Sequence, residues 1–257
     1  MFSLVSTLPE EQLLAWGWRI PFLLSLLLVG VGLFIRLRVH ETPAFSQIKA
    51  SGQEARAPLL DAIRTHPWSI LLAMGARLAE NAFFYIYSVF ALVYVTEQLH
   101  LSRNTILTGV LLATGCELVT IPFFGALSDR IGRRPVYMLG AAFSALFAFP
   151  FFWLLDTQQP FFIWLAVILG IGVGHGAMYG PQASFFAELF GTNVRYSGAS
   201  LGYQLASVFA GGLSPLIATA LLSESGGKPW PIAAYMTSMA AITLVSVYLA
   251  AETLPEG

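Results

Sequence analysis

Seven apolar stretches, each long enough to cross a lipid bilayer, leave this chain few structures to choose from. They run over Trp18–Leu37, Pro67–Thr96, Asn104–Phe124, Pro135–Leu155, Phe161–Ala187, Tyr196–Leu222 and Pro229–Ala251. A hydrocarbon core needs roughly 20 predominantly apolar residues per helical span. Inside it every backbone N–H and C=O must find an internal partner, so such runs fold as helices. A barrel would need polar residues at alternate positions, and that alternation is absent. The composition agrees: 56% of residues are hydrophobic and 11% charged, against about 25% charged in ordinary soluble domains. The sequence predicts an all-α, polytopic membrane protein with seven transmembrane helices and with membrane lipid as its solvent.

Charge refines this reading. A net charge of −1 gives no electrostatic reason to expect nucleic acid as a partner. The single cysteine, Cys116, lies inside an apolar run, so no intrachain disulfide is possible and a small buried residue is expected. Met1–Ala15 has neither a basic n-region nor a small-residue cleavage site, so no secretory signal is expected. Basic residues crowd one set of loops: Arg36, Arg38, Lys49, Arg56 and Arg64, then Arg130, Arg133 and Arg134, then Arg195. The other set holds only Arg19, Arg103 and Lys228. By the positive-inside rule the N-terminus is expected outside and the C-terminus in the cytoplasm of a multi-pass cell (inner) membrane protein. Residues 1–37 would form a tail and first helix, 38–66 a central cytoplasmic loop, and 67–257 a six-helix bundle. In the loop, Leu59, Leu60 and Ile63 share one face, which suits a short helix on the membrane surface.

The segment Gly125-Ala126-Leu127-Ser128-Asp129-Arg130-Ile131-Gly132-Arg133-Arg134-Pro135-Val136-Tyr137 is a basic, glycine-punctuated hinge between two apolar runs. It resembles the signature loop of the major facilitator superfamily of transporters. Gly17-Trp18-Arg19-Ile20-Pro21-Phe22-Leu23-Leu24-Ser25 is similar to the start of the sixth helix in that family's metabolite:proton symporter branch. Glu41-Thr42-Pro43 is similar to the start of its central loop, and Glu188-Leu189-Phe190-Gly191-Thr192-Asn193-Val194-Arg195-Tyr196-Ser197-Gly198 to the entry into its eleventh helix. That branch includes carriers for proline and betaine, shikimate, dicarboxylates and 2-oxoglutarate. The resemblance implies helices six to twelve of a twelve-helix bundle, hence the C-terminal half with one extra helix. Substrate in such carriers lies between two halves, so a missing N-terminal half is an expected partner.

Polar residues inside the spans are the candidates for chemistry. Arg77 and Glu80 lie near the middle of the second span and share a face with Asn81, Phe84 and Tyr85. A charge at that depth costs at least about 2.5–3.5 kcal/mol and is kept where it pairs or binds something. Arg77 would take a substrate carboxylate and Glu80 a proton, or the two simply neutralise each other. Glu117 reads as an isolated buried carboxylate, either a proton carrier or a neutral acid bonded to a neighbouring helix. His175, in Gly170-Ile171-Gly172-Val173-Gly174-His175-Gly176, is either a titrating group or a hydrogen bonder at a helix contact. The same stretch matches a dinucleotide fingerprint only formally, having no acidic ribose ligand after it. Gln182, Tyr203 and Gln204 are weaker candidates for lining a cavity.

In the hinge, Gly125 would let helices approach and Gly132 would turn the chain. Asp129 could face a helix N-terminus, and Arg130, Arg133 and Arg134 could pair with acids nearby, with Glu188 and Arg195 as partners. The resemblance makes this a latch on the cytoplasmic side; the bland reading is topology alone. Gly198, Gly202, Ala206, Ala210 and Ser214 form a small-residue stripe for helix packing.

The expected function is secondary active transport, proton-coupled symport of a small organic acid or zwitterionic metabolite by alternating access. The alternatives are an inert truncated transporter fragment and, further off, a seven-helix receptor. No metal-ligand cluster or nucleophile–base set suggests an enzyme, and no cofactor or metal is expected.

Overall fold

The computed structural model describes residues 9–38, 58–190 and 194–253, and every regular element among them is helical. The chain divides into two compact units, residues 1–54 and 55–257. In the first, α1 (Leu13–Arg38) is one long apolar helix. The Arg19 guanidinium lies 4.4 Å from the centroid of the Trp18 ring and donates to the Ala15 carbonyl, a pairing suited to a helix end at an interface. Most of the expected central loop, 39–57, lies outside the described residues, and so do Gly191, Thr192 and Asn193.

The second unit opens with α2 (Pro58–Thr65), the short helix expected there, with Ala62 buried and Leu59, Leu60 and Ile63 exposed. Six membrane-length helices follow: α3 (Pro67–Gln98), α4 (Arg103–Ile131), α5 (Arg133–Asp156), α6 (Pro160–Glu188), α7 (Arg195–Glu224) and α8 (Trp230–Leu249). Their starts follow local chemistry. Pro67 and Pro160 open α3 and α6, where the missing N–H has no intrahelical partner to lose. Ser102 caps α4, its hydroxyl accepting from the Asn104 N–H at 3.3 Å.

The helices run further into the hinge than the apolar stretches do. The fourth helix runs on through Gly125 to Ile131, and Gly132 alone breaks the chain before α5 begins. The end of an apolar run marks the edge of the lipid rather than the end of the helix, and Ala126–Ile131 holds no residue that must stop it. Gly132 does, with φ at 108°, a value L side chains rarely adopt. Gly125 meets α6 instead: a Cβ on Gly180 would collide with the Gly125 backbone N and the Ile121 carbonyl.

Packing follows small-residue seams and aromatic layers. The third helix lies at the centre, in contact with α5, α6, α7 and α8. Gly202 of α7 closes on Ala73, and Ala206, Ala210 and Ser214 of the same stripe are buried. Phe83, Tyr87, Phe90 and Tyr94 of α3 stack with Phe151 and Phe152 of α5, the Tyr87 and Phe151 centroids 4.5 Å apart. The Thr243 hydroxyl of α8 donates to the Gly75 carbonyl at 2.8 Å and accepts from the Ala79 N–H at 2.9 Å. An α-helix pairs those two backbone groups with each other, so the hydroxyl of α8 docks onto a single turn of α3 at the level of Arg77 and Glu80. Wide π turns interrupt α6 over Ile168–His175 and α7 over Ser207–Gly212. Side chains such as Leu118 and Leu146 point outwards, 78% and 79% exposed, which lipid tolerates and water would not.

Gly132→Ala would place a Cβ against Pro135 and the Glu252 carboxylate in a disfavoured backbone conformation. We expect a loss of about 1–2 kcal/mol, read as a lower midpoint of thermal unfolding in detergent. An unchanged midpoint would show that the hinge does not need glycine.

Candidate functional site

The four charged or titratable residues singled out within the spans converge on one network. Arg77 and Glu80 come from α3, Glu117 from α4 and His175 from the π turn of α6. At 1.5 Å per residue they lie about 15 Å (Arg77) to about 22 Å (His175) along their helices, well inside the bilayer. All are buried. The Arg77 Nη1 donates to Glu80 Oε2 at 2.5 Å and to Gln182 Oε1 at 2.7 Å, and its Nε to the Ser207 hydroxyl at 3.2 Å. Its guanidinium lies 3.2 Å from the centroid of the Tyr203 ring, a cation–π contact strengthened by burial. Gln182 turns its amide nitrogen to Glu80 Oε2 at 3.1 Å and to the Tyr137 hydroxyl at 2.9 Å. Asn81 donates to Ser207 at 3.0 Å.

The histidine links the two acids. Its Nε2 is 2.9 Å from Glu80 Oε1 and its Nδ1 is 2.5 Å from Glu117 Oε1. Glu117 is therefore partnered, contrary to its reading as an isolated carboxylate. A neutral imidazole carries one N–H and one lone pair, so two nitrogen–carboxyl contacts require two hydrogens among three groups. Either the imidazolium sits between two carboxylates, or neutral histidine sits between a carboxylate and a carboxylic acid. Both forms carry one net negative charge, and Arg77 cancels it. The network is thus neutral while holding two exchangeable protons, which is how buried ionic groups avoid the cost of leaving water.

The network forms one wall of a cleft of about 530 Å³. Asn81, Tyr85, Tyr203 and Gln204 also line it, so the nine candidate residues group at one place with Gln182 directly behind Arg77. Phe84 and Tyr179 flank His175, with ring centroids 4.9 and 5.1 Å away. Ser207, Tyr137 and Tyr179 escaped the sequence reading. Ser207 could have been found as the i+4 neighbour of Tyr203, whereas nothing local marks Tyr137.

The hinge residues gather at one end of the bundle. Arg133 bonds Asp129, reaches Glu188 Oε1 at 3.4 Å and donates to the Ser128 hydroxyl at 2.8 Å. Arg134 turns away and donates to the carbonyls of Val247 at 3.1 Å and Tyr248 at 2.5 Å. Arg130 is exposed, and Arg195 donates to the Phe190 carbonyl at 3.5 Å. The anion at the N-terminus of α5 is Glu252 rather than Asp129. Its carboxylate accepts from the backbone N–H groups of Arg133 at 2.9 Å and Arg134 at 3.1 Å. Asp129 pairs with the Arg133 side chain instead. Thr253 adds a hydroxyl bond to Glu188 at 2.5 Å.

The family model of the Major Facilitator Superfamily matches this chain over residues 12–215 and 81–256. The chain belongs to that superfamily. It is 38% identical over 252 residues to the shikimate transporter of Escherichia coli (strain K12), covering 97% of this chain and 58% of the relative. It is 34% identical to a glycine betaine/proline/ectoine/pipecolic acid transporter of Dickeya dadantii, covering 97% of this chain and 51% of the relative. A citrate-proton symporter of Klebsiella pneumoniae is 32% identical, over 96% of this chain and 55% of the relative. The facilitator chain thus spans between about half and three-fifths of the length of these relatives. No solved structure matches it. The relatives are transporters rather than enzymes, and seven apolar helices make the chain a multi-pass membrane protein.

Removing one partner of the network should harm the fold more than removing two. Arg77→Met leaves the buried Glu80–His175–Glu117 group with one uncompensated negative charge and is expected to cost about 3–5 kcal/mol. Arg77→Met combined with Glu80→Gln should recover part of that loss in thermal unfolding. A double variant no more stable than the single one would refute mutual neutralisation.

Proposed function

We propose that this chain is the C-terminal portion of a proton-coupled symporter for a small organic acid or zwitterion, working by alternating access. The observation that carries the reading is the neutral Arg77–Glu80–His175–Glu117 network on the wall of a midplane cleft. A substrate carboxylate that takes Arg77 leaves Glu80 without its cation, and a carboxyl group at that depth then holds a proton. His175, 2.9 Å from Glu80, hands it one, and Glu117 refills the imidazole from the cleft side. Binding of one anion is thereby matched by uptake of one proton, and no net charge is buried. The names of the relatives, which include a citrate-proton symporter, support proton coupling.

The excess of basic residues at the hinge end supports an N-terminus outside and a C-terminus in the cytoplasm of the inner membrane. In that orientation the Asp129–Arg133–Glu188 cluster is a cytoplasmic latch, closed while substrate enters from outside. The second half of the cavity would come from a segment equivalent to the part of the relatives that this chain does not match. A second reading, a portion that binds substrate without transporting it, is favoured by the match to only 51–58% of three relatives' length.

The test is binding of radiolabelled shikimate, proline, glycine betaine and citrate to the purified chain, with proton uptake followed in weak buffer, and uptake by cells under an imposed pH gradient. We expect at least one ligand to bind with proton uptake, Arg77→Gln to abolish binding, and Glu80→Gln to bind without taking up a proton. Binding without cellular uptake selects the second reading. Proton uptake unaltered by Glu80→Gln removes the proposed coupling.

A further inference from the structure

At the end of the bundle opposite the hinge, α5 finishes at Asp156 and α8 begins at Trp230. Between them lies a hollow of about 170 Å³, walled by Phe149, Phe152, Trp153 and Trp230 with Asp156 at its edge. The two tryptophans are 66% and 59% exposed, so their rings are open to the surroundings. The acid is held in place: the hydroxyl of Tyr94, a buried residue of α3, donates to its Oδ1 at 2.6 Å. No hydrogen bond reaches Oδ2 from the described residues. Asp156 also closes the C-terminal turn of its helix, where unpaired carbonyls add partial negative charge.

Tryptophan at a span end needs no ligand, since aromatic belts sit there in any membrane protein. A belt does not require a carboxylate pinned among the rings, nor a hollow between them. Aromatic faces and an anion favour the same guest, a cation with an apolar coat. An inorganic cation, strongly hydrated, gains little from such walls, and an anion is repelled by both.

We propose that this hollow binds an organic ammonium group, with Asp156 as counter-ion and Trp153 and Trp230 as cation–π walls. Its depth, at the last turn of α5 and the first turn of α8, is that of lipid headgroups, so a zwitterionic phospholipid can supply the ammonium. A free amine carries the same chemistry. The inference is independent of the proposed transport reaction, because none of these residues belongs to the midplane network.

The experiment titrates the purified chain in detergent with tetramethylammonium chloride and with ethanolamine, against sodium chloride at equal ionic strength, following tryptophan fluorescence. A second arm places the chain in lipid nanodiscs of phosphatidylglycerol with increasing phosphatidylethanolamine or phosphatidylcholine. We expect a saturable change with the ammonium salts or the ammonium headgroups and none with sodium or phosphatidylglycerol alone. Asp156→Asn, which keeps an acceptor for Tyr94, and Trp230→Ala should each weaken binding about tenfold, the order of one lost charge or ring contact. Trp153→Phe should retain it, which separates loss of a ring from loss of folding. A response to free amines alone assigns a soluble ligand, and a response in nanodiscs assigns the headgroup. No response in either arm, or an undiminished one in Asp156→Asn, overturns the proposal.

Discussion

Charge cannot stand alone in the middle of a bilayer, and that constraint organises this molecule. Arg77 is tolerable because Glu80 and Gln182 meet it on one side and the Tyr203 ring covers its face. Glu80 is tolerable because Arg77, His175 and Gln182 together satisfy both of its oxygens. These partners come from α3, α6 and α7, so the polar contacts also fix how the three helices are rotated about their axes. Apolar packing alone leaves such rotations weakly specified in lipid, where every greasy face is equally at home.

The backbone around the network is irregular, as it is further along α3 at Ile86–Phe90 and Tyr94–Gln98. A threonine hydroxyl from α8 bonds both the Gly75 carbonyl and the Ala79 N–H of α3. His175 ends one π turn and Ser207 begins another. Irregular backbone is tolerated at membrane depth where protein surrounds it, and π turns recur at functional sites. Two helices thus bring a π turn to the wall of the cleft.

Much of this was legible beforehand. Spans and helical class followed from run length and composition, because the bilayer turns hydrophobicity almost directly into architecture, and the family from the hinge motif with three further segments. The polar residues were legible for the same reason: Arg77, Glu80, Glu117 and His175 stand out against lipid as they would not in a soluble core. Their mutual contacts were not, since Glu80 and His175 are separated by 95 positions and no local period joins them. Tyr137, Ser207 and Glu252 were missed because an ordinary tyrosine, serine or terminal glutamate carries no signal until a neighbour from another helix arrives. At the hinge the turn falls at Gly132 as its sequence predicts, but α4 continues to Ile131, because polar residues end the lipid contact without ending the helix.

Glu252 has an implication for how the bundle moves. Its carboxylate holds the opening amides of α5, while Arg134 holds the closing carbonyls of α8, so the two helices are stitched to each other in both directions. Displacing either helix at this end of the bundle would strain four hydrogen bonds at once.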